Sequence, residues 1–116
     1  MVIVYGLKNC DSCRAARRYL TERAFVHAFH DLRADGLDGA TLDKWLAALG
    51  WEALLNKNST TWRGLPEPDK AGLDAAKARA LMLAHPTLVK RPVIDTGRSL
   101  TVGFDRDVRA ALQAVL

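Results

Sequence analysis

Along this chain the apolar positions change their period several times, and each change marks an element. Met1 to Tyr5 is a short apolar run that reads as a strand, with Gly6 to Asn9 as the turn after it. From about Asp11 the apolar residues Ala15, Ala16, Tyr19 and Leu20 recur at helical spacing, while Arg14, Arg17 and Arg18 face elsewhere. Phe25 to His30 alternates, with Phe25, His27 and Phe29 on one face and Val26, Ala28 and His30 on the other. That period predicts a second strand, parallel to the first and reached by a right-handed βαβ crossover. His27 and His30 fall on opposite faces and so form no pair. Asp31 to Gly39 is a polar linker. Leu42, Trp45, Leu46 and Leu49 then stand at i, i+3, i+4 and i+7, which predicts an amphipathic helix stopped by Gly50.

Trp51 to Leu55 is short enough for one further helical turn, and Asn56 to Ser59 is a polar turn. Thr60 or Thr61 is the expected cap of a turn around Trp62, and Leu65 to Gly72, with Pro66 and Pro68, reads as loop. Asp74 is the expected N-cap of a helix to about Ala84, with Ala78, Leu81 and Met82 inward and His85-Pro86 ending it. His85 is read there as a C-terminal cap and not as an acid–base group. Val93 to Asp95 and Leu100 to Val102 flank Thr96-Gly97-Arg98, a hairpin signal. Asp105 then caps a last helix with the stripe Val108, Ala111, Leu112 and Val115. The order is β-α-β, an all-helical segment at about 35–88, then β-β-α. That segment is too poor in apolar mass to stand alone, so it is expected as an insertion into one domain covering 1–116. Trp45, Trp51 and Trp62 are expected to anchor its core. Without the insertion, βαβ followed by ββα is the thioredoxin architecture. The expectation is therefore a thioredoxin-like three-layer α/β fold, with a mixed four-stranded sheet and an inserted all-helical segment.

Composition narrows the setting. With 49% apolar and 26% charged residues in 116, the chain is globular and not disordered. No stretch approaches bilayer length, so no membrane association is expected. The N-terminus has neither a basic region nor a cleavage site, so no secretory signal is expected. The net charge of +4 is modest. Lys8, Arg14, Arg17, Arg18, Arg23 and Arg33 concentrate positive charge in the first third. They read first as a solvated helix face, then as a surface for an anionic small molecule or an acidic partner. Nucleic-acid binding is not expected, because the basic residues are not interleaved with aromatics.

The chemistry is concentrated in Asn9-Cys10-Asp11-Ser12-Cys13, the only place where cysteine occurs. Cys10 falls at or just before a helix N-terminus, where unpaired N–H groups and the helix dipole stabilise a thiolate. Lys8 and Arg91 are expected to lower its pKa, with Asp11 opposing them. Cys13, one turn on, is placed to resolve a mixed disulfide, and the pair should close into a disulfide on mild oxidation. A lone CxxC favours exchange chemistry in a reducing, cytoplasmic setting over a structural framework. No metal is expected, since there is no second cysteine pair and the histidines lack ligand spacing. Lys8, Asn9 and Ser12 share the loop and are candidate binding residues. Arg91 is the best anion-binding candidate, and Pro92 stands where thioredoxin-like folds place a cis-proline beside the cysteine loop.

Tyr5-Gly6-Leu7-Lys8-Asn9-Cys10-Asp11-Ser12-Cys13, Gly50-Trp51-Glu52-Ala53-Leu54-Leu55-Asn56-Lys57-Asn58, His85-Pro86, Lys90-Arg91-Pro92 and Val102-Gly103-Phe104 together carry a family resemblance. Over essentially its whole length the chain resembles the glutaredoxin-type arsenate reductases and the Spx regulators, and is most similar to the small YffB branch. The resemblance implies the fold above. It also implies a thiol oxidoreductase with Cys10 as nucleophile, glutathione as co-substrate and no bound cofactor, with glutaredoxin or thioredoxin as partner and a monomeric state. Arsenate reductases of this kind surround the anion with three arginines. Arg91 matches one, whereas Asn56 and about Val102 stand at the other two positions, which implies weak or absent arsenate reduction. The Spx branch implies an alternative, a redox-sensing regulator that binds the RNA polymerase α subunit. The chain ends at Leu116 without the longer tail of that branch, which favours the enzyme reading.

Overall fold

The first apolar run folds as β1 (Val2–Gly6), and its buried residues alternate, Val2 and Val4 facing the core. Cys10 occupies the N-cap of α1 (Asp11–Glu22), which buries Cys13, Ala16 and Leu20 on one stripe and turns its arginines outward. The computed structural model describes all 116 residues. α1 ends in a Schellman motif closed by a non-glycine residue. Ala24 adopts φ 58, its N–H donates to the Thr21 carbonyl at 3.0 Å, and the Phe25 N–H donates to the Leu20 carbonyl at 2.9 Å. That reversal uses Phe25, and β2 is His27–Asp31 and not the stretch from Phe25 that alternation suggested.

β2 pairs parallel to β1, with Gly6 opposite Asp31. β3 (Val93–Asp95) pairs antiparallel to the other edge of β1, and β4 (Leu100–Val102) pairs antiparallel to β3, giving the order β2-β1-β3-β4. Asp105 caps α7 (Arg106–Val115) by accepting from the Val108 N–H at 2.9 Å. Val2, Val4, Ala16, Leu20, Ile94 and Leu112 form the core between one sheet face, α1 and α7. Each of the five larger side chains contributes about 1.5–3 kcal/mol by leaving water. In α7, Leu112 is buried and Val108 and Val115 half-buried, but Ala111 is exposed, so the predicted stripe is narrower than expected. Three arginines lie over aromatic rings on this unit: Arg17 on Phe29, Arg23 on Tyr19 and Arg109 on Phe104.

All of this belongs to one compact unit, Met1–Asp35 with Arg91–Leu116; the second unit is Gly36–Lys90, close to the 35–88 segment read from sequence. The second unit contains α2 (Gly39–Leu49), α3 (Trp51–Leu54), α4 (Thr60–Arg63), α5 (Glu67–Lys70), α6 (Ala75–Ala84) and a 3-10 turn, Pro86–Leu88. Asp38 and Asp74 cap α2 and α6, and Gly50, at φ 83, stops α2. The cap of α4 is Ser59, accepting from the Trp62 N–H at 3.1 Å, and not Thr60 or Thr61. α5 replaces the loop expected across Leu65–Gly72. Pro66 is its N-cap and Pro68 lies in its first turn, where a missing N–H leaves no bond unmade. Trp45 is fully buried, but Trp51 and Trp62 are only half-buried, so one tryptophan and not three anchors the interior here. No helix is long and apolar enough to cross a membrane.

Candidate active site

The β1–α1 junction brings Cys10 to the surface and sends Cys13 inward. The turn between them closes with the Cys10 N–H donating to the Leu7 carbonyl at 3.3 Å, and helix begins with the Arg14 N–H donating to the Cys10 carbonyl at 2.9 Å. Cys10 is half-buried and Cys13 fully buried, and both are free thiols. Arg91 joins them from the other end of the unit, just before β3, through a cis Arg91-Pro92 bond. Pro92 is itself buried, and its carbonyl accepts from the Gly103 N–H at 2.9 Å.

The two thiols are driven apart in acidity. Burial alone would raise the Cys10 pKa, but the Cys13 thiol and N–H, and then the Arg91 guanidinium, outweigh it and bring it below the ordinary thiol value. The Cys10 sulfur makes no close capping hydrogen bond, so this stabilisation comes from dipoles and charge within reach and not from a formal N-cap. Burial pushes the Cys13 thiol up to about 12. The Leu7 backbone and Arg91 oppose the rise, and Cys10 adds to it. The inner sulfur thus holds its proton more firmly than the outer one, and Cys10 is the thiol of the pair that ionises first.

Cys10 opens onto a cleft of about 560 Å³, lined among others by Lys8, Asn9, Asp31, Arg33 and Arg91. Of the residues read from sequence, Lys8, Asn9 and Arg91 therefore share this cleft with Cys10. Ser12 is exposed on α1 and does not line it. Lys8 and Asp11 are not among the groups that chiefly set the Cys10 pKa. Lys8 acts on Asp31, and Asp11 pairs with Arg14. Arg33, read from sequence only as one of a basic cluster, lines the cleft, and Asp31 is a residue that the sequence reading missed. Asp31 is 8% exposed and ends β2. Its Oδ1 accepts from the Arg33 N–H at 2.8 Å and the Ala34 N–H at 2.9 Å. The Ala34 N–H first, then the Arg33 and Lys8 N–H groups and the Lys8 charge, hold its carboxyl below the usual range against the effect of burial. A signal for it was available: in a parallel pair that sets Gly6 opposite residue 31, an acid at 31 lies beside the loop leading to Cys10, within reach of the Lys8 N–H.

In the second unit Asn56 and Lys57 line a separate cleft of about 260 Å³ with Trp51, Asn58 and Lys90. It is built on a bridge in which the Asn56 N–H donates to the Leu88 carbonyl at 2.8 Å and the Lys90 N–H to the Leu54 carbonyl at 2.7 Å.

A mixed four-stranded sheet with a CxxC at the start of the first helix and a cis-proline leading into β3 defines a thioredoxin-like α/β protein. Residues 5–112 match the model of the ArsC family, and the chain belongs to that family. It is 41% identical over 112 residues to an uncharacterized protein of Haemophilus influenzae, covering 96% of this chain and 98% of that one. It is 29% identical over 115 residues to a Streptococcus mutans protein named global transcriptional regulator Spx, covering 97% of this chain and 83% of that one. Among solved structures, a YffB protein aligns with a TM-score of 0.90 at 45% identity, covering 96% of this chain and 97% of that one. An arsenate reductase (ArsC) related protein from Brucella melitensis aligns with a TM-score of 0.74 at 46% identity, covering 95% and 92%.

Proposed function

We propose that the chain is a thiol–disulfide oxidoreductase with Cys10 as its nucleophile. The observation that carries this reading is a half-buried cysteine with a lowered pKa, opening onto a cleft and backed by a buried, protonated partner. In the first step the Cys10 thiolate attacks one sulfur of a substrate disulfide. A Cys10 mixed disulfide forms, and the other sulfur leaves as a thiolate. In the second, either Cys13 attacks the Cys10 sulfur, closing a Cys10–Cys13 disulfide and releasing the remaining substrate as a thiol, or an external thiol attacks the substrate sulfur, forms a disulfide with it and releases Cys10 as a thiolate. Glutathione is the proposed co-substrate, with glutaredoxin or thioredoxin as reducing partner. Arg91 stabilises the thiolate and binds an anionic group of the incoming thiol, while Lys8 and Asn9 contact it from the cleft wall. This chemistry belongs in a reducing cytoplasm. Turnover of a glutathione mixed disulfide in the presence of glutathione tests the reading. Activity should vanish in C10S, and Cys10 should alkylate faster at pH 7 than free cysteine. Retained activity in C10S, or alkylation at the rate of free cysteine, overturns it.

The similarity to proteins named Spx favours a second reading, a redox-sensing regulator that binds the RNA polymerase α subunit. A shared fold carries no partner with it, so no stable complex is expected in a pull-down with that subunit. A complex that forms in only one redox state would favour the regulator over the enzyme.

A further inference from the structure

We infer that Gly6 is the seat of the resolving thiol: the side chain absent from this β1 position leaves the space in which the Cys13 sulfur lies against Cys10. The inference rests on the reading of Cys10 and Cys13 as a working pair. Gly6 is not among the glycines with positive φ, so its backbone conformation does not demand glycine. Space does. A Cβ built at Gly6 would lie well inside van der Waals contact with Cys13 Sγ and 3.2 Å from Cys13 Cβ, whereas Phe29 Cε1, at 3.7 Å, is an ordinary neighbour. The obstruction is therefore with Cys13 alone.

Neither backbone can easily yield. Gly6 is paired with Asp31 in the sheet, and its carbonyl accepts from the Leu32 N–H at 2.8 Å. On the other side, Ala16 and Leu20 seat α1 in the core. A methyl group at position 6 must then displace the Cys13 side chain, and with it the thiol that faces the Cys10 sulfur.

The seat matters at the second step. Cys13 sulfur attacks Cys10 sulfur in the mixed disulfide, a Cys10–Cys13 bond forms, and the bond to the substrate sulfur breaks. The departing sulfur takes the bonding pair and receives, by way of water, the proton that Cys13 gives up. Both cysteines end oxidised and the substrate disulfide ends as two thiols. Reacting sulfurs must meet almost in contact, so a displaced Cys13 slows this step more than the first. Gly6 is in this sense a positioning residue.

The test compares wild type, G6A, C13A and G6A/C13A after one equivalent of oxidised glutathione, following the Cys10 mixed disulfide by mass. In G6A that species should persist roughly 10- to 100-fold longer than in wild type, the loss expected of a misplaced reacting group. The pH midpoint of Cys10 alkylation should also rise in G6A, because the Cys13 thiol no longer faces Cys10. A merely structural role for Gly6 would move neither reading. G6A/C13A should match C13A in both, since there is then no sulfur to displace. If wild type clears the mixed disulfide into a Cys10–Cys13 bond and G6A does so at the same rate with an unmoved midpoint, the seat is wrong and the thiol reading stands. If wild-type Cys10 is unreactive, the thiol reading fails and the seat with it. Should G6A not fold, a folded G6A/C13A supports the seat, and an unfolded one overturns it.

Discussion

Among the residues of the cleft, charge alone is a poor guide to influence, as Arg91 and Lys8 show. Arg91 lowers the Cys10 pKa, while Lys8, two positions from Cys10 in sequence, acts on Asp31. Replacing Arg91 by methionine removes a cation that favours the thiolate, so the Cys10 pKa rises and the thiolate fraction at pH 7 falls. We expect R91M to slow iodoacetamide alkylation at neutral pH and to shift the rate–pH profile upward, the two variants converging once both thiols are ionised. K8M should leave the profile in place. An equal shift in both would return Lys8 to the thiolate's surroundings. The CxxC itself and the arginine before Pro92 were legible in the sequence, because a strand–turn–helix pattern fixes where a cysteine meets a helix N-terminus. The carboxylate that shares the cleft with Lys8 was not, since Asp31 reaches it only through the pairing of β2 with β1. Gly6 was equally hidden, because its purpose depends on a side chain one helical turn beyond Cys10.

At the scale of elements, the caps were the most readable features. Asp74 and Asp105 stand at the N-caps their spacing announced, and Gly50 stops α2. The failures have separate causes. β2 begins two residues late because the reversal after α1 is closed by main-chain bonds that use Phe25, and alternation cannot register those. α5 was missed because two prolines read as breakers, although proline is tolerated in a first helical turn. The α1 reversal also yields a prediction. Ala24 sits at φ 58, a conformation costing a β-carbon about 1 kcal/mol that glycine does not incur. A24G should stabilise the fold by a few tenths to about 1 kcal/mol, reduced by the greater freedom of glycine in the unfolded chain. The midpoint of urea unfolding checks it, and a fall in that midpoint would show that the Cβ of Ala24 contributes packing that outweighs the strain.

For the molecule as a whole, the family is plain, and the arsenate question turns on charge. If Arg91 is the one arginine retained of three, two charge-assisted contacts to an oxyanion are missing. At about 1.5–3 kcal/mol each, their loss corresponds to roughly a hundred- to ten-thousandfold in rate. Steady-state assay with arsenate, glutathione and glutaredoxin should therefore give little turnover. A rate comparable to an enzyme holding all three would assign the missing contacts to other cations of the same unit, Lys8 and Arg33 of the cleft first. The thioredoxin-like sheet was legible from the order of elements, and the helical segment from its change of period. The division of the chain has a further consequence in time. One compact unit joins Met1–Asp35 to Arg91–Leu116, while Gly36–Lys90 lies between them in sequence. On the ribosome, β1 and β2 emerge first, and residues 32–92 take roughly 3–12 s more to appear at ordinary elongation rates. Throughout that interval the edge of β1 at Ile3, Val4 and Tyr5, later covered by β3, is an open template for stray pairing. Cys10, meanwhile, has no Arg91 to favour its thiolate. The nascent chain is thus most adhesive while its thiol is least reactive, and both conditions end when β3 emerges.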